Sequence, residues 1–598
     1  PPVRTAGPEV CVSRTRTVLL LLLAVLLAAC SNSPTTPPPP PPIPTPQKEP
    51  TQLVVGVDAI PSGFNPHLIG NQSPLTTALA TLVLPSVFRP DARGALQIDP
   101  TIATSATVSS TAPFTVTYEL NLEASWSDNA PIAAEDFVYL WERMRGDVGT
   151  TDAAGYRLIT DIKSRAGGKA VDVVFSHAYP GWQRLFSDLL PAHLLKDAPG
   201  SWTGALAGGL PTSGGPFKVI GVDRARGQVQ LARNDAYWAT PAVLDQLEFR
   251  RLDAAGMVAG LSSGDIAIAL PEADQAVRTA LGGLSPAPHV QIAPQPVVTQ
   301  LGLRGDSGPM ADPRVRQAMG AIIDRDAVRA AVAPEALPAD AFGLAPSEPG
   351  YASTAPAGAP ARPDPAYAAR QLTAAGWARN AVTGRWDLPG GRPSQLVIGA
   401  AAERPEDQQV AQVVAKQLAA AGIAATVVAP TATDLFGLVT VPPTPPSPSP
   451  TPSVTPTPTP GPTRSAAPTT TSTSGGGVRV DMMVLPRNVG GDLGTELSSD
   501  YGCPQPTALV PAPPRSPTGF CSPALQPLFD ELTSANPRPD LAGTVERLLW
   551  QQMPALPLFQ PVTLVVSTAA ADAATNVGPG PLESGPLTGA EDWRPSTG

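Results

Sequence analysis

Proline locks φ and removes a backbone donor, and its uneven placement limits where this chain can fold. Ten of its 76 prolines fall in residues 34–50 and twelve in residues 441–477, so both stretches read as structureless segments. Setting these aside together with the first 29 residues leaves a body of about 511 residues, in which proline is roughly 10%, twice the usual share. Long uninterrupted helices and coiled coils are disfavoured there. A body of that size exceeds a single hydrophobic core, so at least two lobes are expected. With 40 basic and 50 acidic residues (net charge −10), the chain has no electrostatic basis for binding nucleic acid.

Arg14 and Arg16 precede an apolar run from Val18 to Ala29. Twelve residues at about 1.5 Å each cannot cross a hydrocarbon core of about 30 Å, so the run reads as the apolar core of a signal peptide at residues 1–29. Its end, Leu27-Ala28-Ala29-Cys30, resembles a bacterial lipobox. That resemblance implies a lipidated Cys30 as mature N-terminus and an exported protein anchored on the outer face of the cell membrane. Residues 1–11 read as a gene-start artefact, with initiation expected at Val12. Residues 30–50 then form the lipidated cysteine and a proline-rich, polyproline II tether.

Apolar residues alternate from Phe114 to Leu122, which predicts a half-buried strand. Trp126-Ser127-Asp128-Asn129-Ala130-Pro131 follows as a turn, and Ala134-Glu135-Asp136-Phe137 opens a helix with acids in its first turn. Strand, turn and helix together resemble the signature of family 5 extracellular solute-binding proteins, the oligopeptide and dipeptide receptors of ABC importers. Asn129 stands where that family has Gly, tolerable because Asn accepts left-handed backbone angles. Ala133 stands where it has Thr, so a hydroxyl cap is missing. The resemblance continues in order through Ser213–Val219, Leu231–Trp238, Met257–Ile268 and Asp312–Ala318. Asp312 is also a fit N-cap on its own terms, with Pro313 at the favoured first position and Val315, Met319 and Ile322 as the apolar stripe. Trp126, Tyr237 and Trp238 read as core packing, not as ligand contacts.

Other patterns carry less. Gly260-Leu261-Ser262-Ser263-Gly264 satisfies the G-x-S-x-G pattern, but helix precedes it and strand follows, the reverse of a nucleophile elbow. Gly167-Gly168-Lys169-Ala170 lacks the spacing and hydroxyl of a phosphate loop. His67, His177, His193 and His289 are scattered without metal-ligand spacing. No catalytic residue, metal or cofactor is expected. Cys503 and Cys521 remain as a pair in an exported setting and are expected to form a disulfide, the alternative being two buried free thiols. The insert at 441–477 falls between two predicted strands, Ile423–Val428 and Val478–Val484, so it reads as a disordered surface loop inside one lobe.

The resemblance implies an α/β, two-lobed periplasmic-binding-protein fold of the large peptide-binding type, hinged, with an extra subdomain. Motif order assigns residues 51–90, 205–300 and 555–598 to lobe I, 91–204 to its subdomain and 301–554 to lobe II. Ligand is expected between the lobes. The family's aromatic-Glu-Gly-Leu segment facing the cleft becomes Leu84-Pro85-Ser86-Val87-Phe88, which makes Ser86 and Phe88 candidate contacts. The Trp-x-x-Asp segment, whose Asp pairs with a peptide amino terminus, becomes Leu485–Asp492 without the Trp. Asp492 is the positional candidate, read otherwise as a surface-loop carboxylate, and Arg487 would suit an anionic ligand instead. The implied function is capture of a peptide or related solute for an ABC permease by a monomeric lipoprotein. The opening Gly63–Leu68 and Gln72–Thr76 segments also resemble mycobacterial lipoproteins of this fold implicated in phosphatidylinositol mannoside and lipoarabinomannan synthesis. They imply an alternative, envelope-regulatory role with a glycolipid partner.

Overall fold

The computed structural model describes residues 50–91, 93–437 and 479–595. Its frame is two sheets. The larger runs in the order His289–Pro294, Val562–Ser567, Ile268–Leu270, Gln52–Val57, Gln246–Arg251, Gln228–Arg233, Phe217–Asp223. The smaller runs Leu337–Pro338, Ala555–Gln560, Val297–Leu303, Met482–Asn488, Gln395–Gly399, Ala424–Val428. Every residue of its central strands Val297–Leu303 and Ala555–Gln560 is buried, including the polar Thr299, Gln300 and Gln560, as a sheet covered on both faces requires. Each sheet has its own apolar core, one built around Val55, Trp126 and Phe249, the other around Leu301, Val410 and Phe559. The molecule is therefore two-lobed.

The chain passes between the sheets twice, at Gln295-Pro296 and at Pro561. The two passages lie side by side: the Gln295 N–H donates to the Pro561 carbonyl at 2.9 Å, and Gln560 Nε2 donates to the Gln295 carbonyl at 2.9 Å. A proline at each passage removes a ladder donor where the chain changes sheets. These crossings are the two places where the chain passes from one sheet to the other. They fall a few residues from the expected boundaries at 300/301 and 554/555, because strand periodicity does not reveal which sheet a strand joins.

A four-stranded antiparallel sheet (Ala103–Thr111, Phe114–Leu120, Ala170–Phe175, Ile159–Arg165) and the helix Ala134–Gly146 form the subdomain. In the strand from Phe114 the inward positions Val116, Tyr118 and Leu120 are buried. The turn after it holds Asn129 at φ 68°, the left-handed angle expected of Asn in place of Gly. The missing hydroxyl cap at Ala133 is offset from the other side. Asp136 Oδ2 accepts the Ala133 N–H at 3.0 Å and Trp126 Nε1 at 3.3 Å, while Oδ1 accepts the Ala192 N–H at 2.9 Å. Trp126 is fully buried, so this motif is scaffold. Lys169 completes the motif by donating Nζ to the carbonyls of Asn121, Ala124 and Ile132.

Gly260–Gly264 sits at the end of the helix Ala254–Ser263, ahead of the strand Ile268–Leu270. Asp312 caps the helix Pro313–Ile322 by accepting the Arg314 N–H. Cys503 and Cys521 are joined in a disulfide, with Cα atoms 4.8 Å apart. The signal peptide, Cys30, the tether and the 441–477 insert lie outside the described residues. The described flanks of that insert, Ala424–Val428 and Met482–Asn488, belong to the same sheet.

Candidate functional site

Between the lobes lies a cavity of about 210 Å³ with three walls. The first lobe contributes the stretch from Pro66 to Pro90, the subdomain contributes residues 144–188, and the second lobe contributes Asn488–Glu496. Ser86 and Phe88 line it from the first lobe and Asp492 from the second. Ser86 is tied to Asp188: its Oγ accepts the Asp188 N–H at 2.8 Å. Asp492 is no surface-loop carboxylate. It caps the helix Leu493–Tyr501, its Oδ2 accepting the Thr495 N–H at 2.9 Å and the Thr495 hydroxyl at 2.8 Å.

Arg487 lies beneath the cavity wall instead of on it. Its side chain is 2% exposed, and Nη1 meets Glu496 Oε2 at 3.2 Å while Nη2 donates to the Gly343 carbonyl. Glu496, 3% exposed, also accepts the Gly491 N–H at 2.6 Å. Burial pushes the Glu496 carboxyl up against the pull of Arg487. With its charge matched internally, Arg487 is not an anion receptor for the cleft.

Residues that sequence reasoning did not single out complete the walls. Asp152 accepts from Asn488 Nδ2 at 3.3 Å, and burial pushes its carboxyl up. Asn488 Oδ1 is buried with no hydrogen-bond partner. Arg184 reaches Glu583 Oε1 at 2.5 Å and the Gly490 carbonyl at 2.6 Å. The Tyr179 and Thr495 hydroxyls meet at 2.6 Å. His67 Nε2 lies 2.9 Å from the Asp188 carbonyl, and burial lowers the pKa of its ring. These pairs join residues up to 399 positions apart, so no local spacing announces them. The cavity is thus rich in acceptors, and the arginines at it are already engaged.

A second contact between the lobes flanks these crossings. Consecutive residues divide there, Pro296 lining the main cavity and Gln295 the other. Glu272 of the first lobe hydrogen-bonds Glu406 of the second, with Asp58 and Asp274 nearby. Burial and the Glu406 carboxyl push Glu272 up to about 9, and burial pushes Asp58 up to about 6. Arg404 beside them is committed to Asp407 at 2.5 Å and to the Gln72 carbonyl at 2.8 Å. Among the described residues no group of three or more His, Cys, Asp or Glu side chains is arranged to hold a metal ion.

Two lobes around a polar cavity define a solute-binding receptor. Residues 97–442 match the family model of bacterial extracellular solute-binding proteins, family 5, and the chain belongs to that family of binding proteins, which are not enzymes. It is 35% identical, over 88% of both chains, to a Mycobacterium tuberculosis protein named probable monoacyl phosphatidylinositol tetramannoside-binding protein LpqW. It is 30% identical to the oligopeptide-binding protein OppA of Mycobacterium bovis, over 54% of this chain and 55% of that one. Among solved structures, the oligopeptide-binding protein AppA from Bacillus subtilis, in complex with a nonapeptide, shares the fold at a TM-score of 0.68 and 16% identity, covering 92% of this chain and all of that one. The Haemophilus influenzae OppA complex does so at 0.64 and 15%, over 92% of this chain and all of that one.

Proposed function

We propose that this chain is an exported solute-binding lipoprotein, anchored through Cys30, whose cleft captures the hydroxyl-rich head of a mannosylated lipid in a role other than nutrient import. The carrying observation is the acceptor-rich wall. Asp152, Asp492, Glu583 and Asn488 line one cavity, with Asn488 Oδ1 buried and unpartnered, and the positive charges of Arg184 and Arg487 are matched by Glu583 and Glu496. Such a wall selects a ligand rich in donors, and sugar hydroxyls supply them without adding charge. The relative matched over most of both chains is named for a ligand of this chemistry.

A second reading is the binding protein of a peptide importer, handing its ligand to an ABC permease. The position of Asp492 in the cavity favours it, since a carboxylate there suits a peptide ammonium. The matches to OppA support it as well.

Thermal-shift titration separates the two. A mannosylated phosphatidylinositol at about 100 times its Kd should stabilise the protein by about 2.7 kcal/mol, and Asn488→Ala should abolish the shift. A rise with peptides alone would overturn the glycolipid reading. For the anchor, radiolabelled palmitate should enter the native protein and not Cys30→Ala.

A further inference from the structure

On the far side of the helix Ala154–Arg157 lies a separate cavity of about 420 Å³. It is bounded by the edge of the subdomain sheet and by the loop that follows Cys503 in the second lobe. The main cleft sees Asp152, Tyr156 and Thr495, whereas this cavity sees Ala154, Arg157 and Ser498. The Ala154 N–H donates to Ser499 Oγ at 3.0 Å along the seam between them.

Its wall is largely apolar, with Leu158, Ile159, Leu509 and Val510 facing in, and Leu509 is 52% exposed. Two guanidiniums line the same space. Arg145 Nη1 and Arg157 Nε are buried without a hydrogen-bond partner. Arg157 makes one bond, from Nη2 to the Pro514 carbonyl at 3.3 Å, and burial alone pulls it down to about 10, with no carboxylate to offset that effect. Arg145 stacks over Trp141 at 3.9 Å, and Glu142 is the carboxylate whose charge reaches it. Asp530, on the wall, accepts from Gln526 at 2.7 Å. Buried donors without acceptors are costly in a folded protein, and two planar guanidinium groups match the oxygens of a phosphate or carboxylate.

We propose that this cavity binds an anionic amphiphile: a long apolar chain lying against Ile159, Leu509 and Val510, ending in a phosphate or carboxylate held by Arg145 and Arg157. The site stands whichever solute the main cleft takes. Its charge and its apolar wall must both be filled, so neither a free anion nor a neutral chain suffices.

The test is calorimetric titration of the full chain with dodecyl phosphate below its micellar concentration, with Trp141 fluorescence as a second readout. Dodecyl phosphate and dodecanoate should both bind at least about tenfold more tightly than dodecyl maltoside or inorganic phosphate. Arg145→Gln with Arg157→Gln should weaken dodecyl phosphate by about tenfold or more. Leu509→Asp, on an exposed position, should do the same should the double variant fail to fold. Asn488→Ala, in the main cleft, should leave it unchanged. Equal affinity for dodecyl maltoside, equal affinity for inorganic phosphate, an inert Leu509→Asp, or loss of binding in Asn488→Ala would each overturn the proposal.

Discussion

Across the main cleft the lobes meet donor to acceptor: Tyr179 with Thr495, Asn488 with Asp152, Arg184 with the Gly490 carbonyl. At the second contact they meet acid to acid, Glu272 with Glu406 and Asp58 beside them. Both contacts flank the same passage between the lobes at Gln295-Pro296. The difference separates two roles. The cleft contacts join donors to acceptors, while burial and the facing Glu406 carboxyl push the Glu272 carboxyl up, so the acid contact favours holding a proton.

The largest expected effect sharpens the cleft half of this comparison. Arg487→Ala leaves Glu496 buried and uncompensated, and should cost about 3–5 kcal/mol in urea unfolding. A loss below about 1 kcal/mol would show that the pair beneath the cleft does not brace it.

The next effect concerns the acid contact. Glu272 binds a proton in the closed protein up to about 9, whereas its ordinary value is 4.5. Between those values the folded form holds a proton that the unfolded form has released. Stability is therefore greatest below 4.5 and falls as pH rises towards 9. Glu272→Gln should remove that fall, raising Tm at pH 8 by about 2–4 °C and changing it little at pH 4.5. A wild-type protein whose Tm does not decline over this range through Glu272 would erase the distinction between the two contacts.

The smallest effect tests a single cleft bond. Tyr179→Phe removes the hydroxyl that meets Thr495 and should favour the open state by about 1 kcal/mol, seen as a larger radius of gyration in solution scattering. Burial pushes the Tyr179 hydroxyl far above its ordinary value, so the wild-type bond should show no titration between pH 5 and 8.

Particular residues show how much was legible beforehand. The half-buried strand from Phe114, the left-handed Asn129 and the Asp312 cap could be read directly, because each depends on residues within a few positions of itself. Ser86, Phe88 and Asp492 reach the cavity, having been found through motif position in a recognisable fold. The role of Asp492 as a helix cap is also local, in its spacing to Thr495. Arg487 shows where the reading stops. As a lone arginine near the predicted pocket it suggests an anion site, and only its pairing with Glu496 under the wall shows the charge to be spent.

By itself, the sequence determined the local strands, caps and turns, which follow from periodicity and near-neighbour chemistry, and through motif resemblance the α/β class and the two-lobed receptor family. Tertiary structure alone decided the crossings at Gln295-Pro296 and Pro561, the acceptor-rich cleft and the pair of arginines behind it, each with one unpartnered buried nitrogen. The hydrogen bonds that cross the cleft span hundreds of residues, such as 336 between Asn488 and Asp152 and 316 between Tyr179 and Thr495. Whether a buried charge finds a partner depends on which segments packing brings together, and no spacing along the chain encodes that.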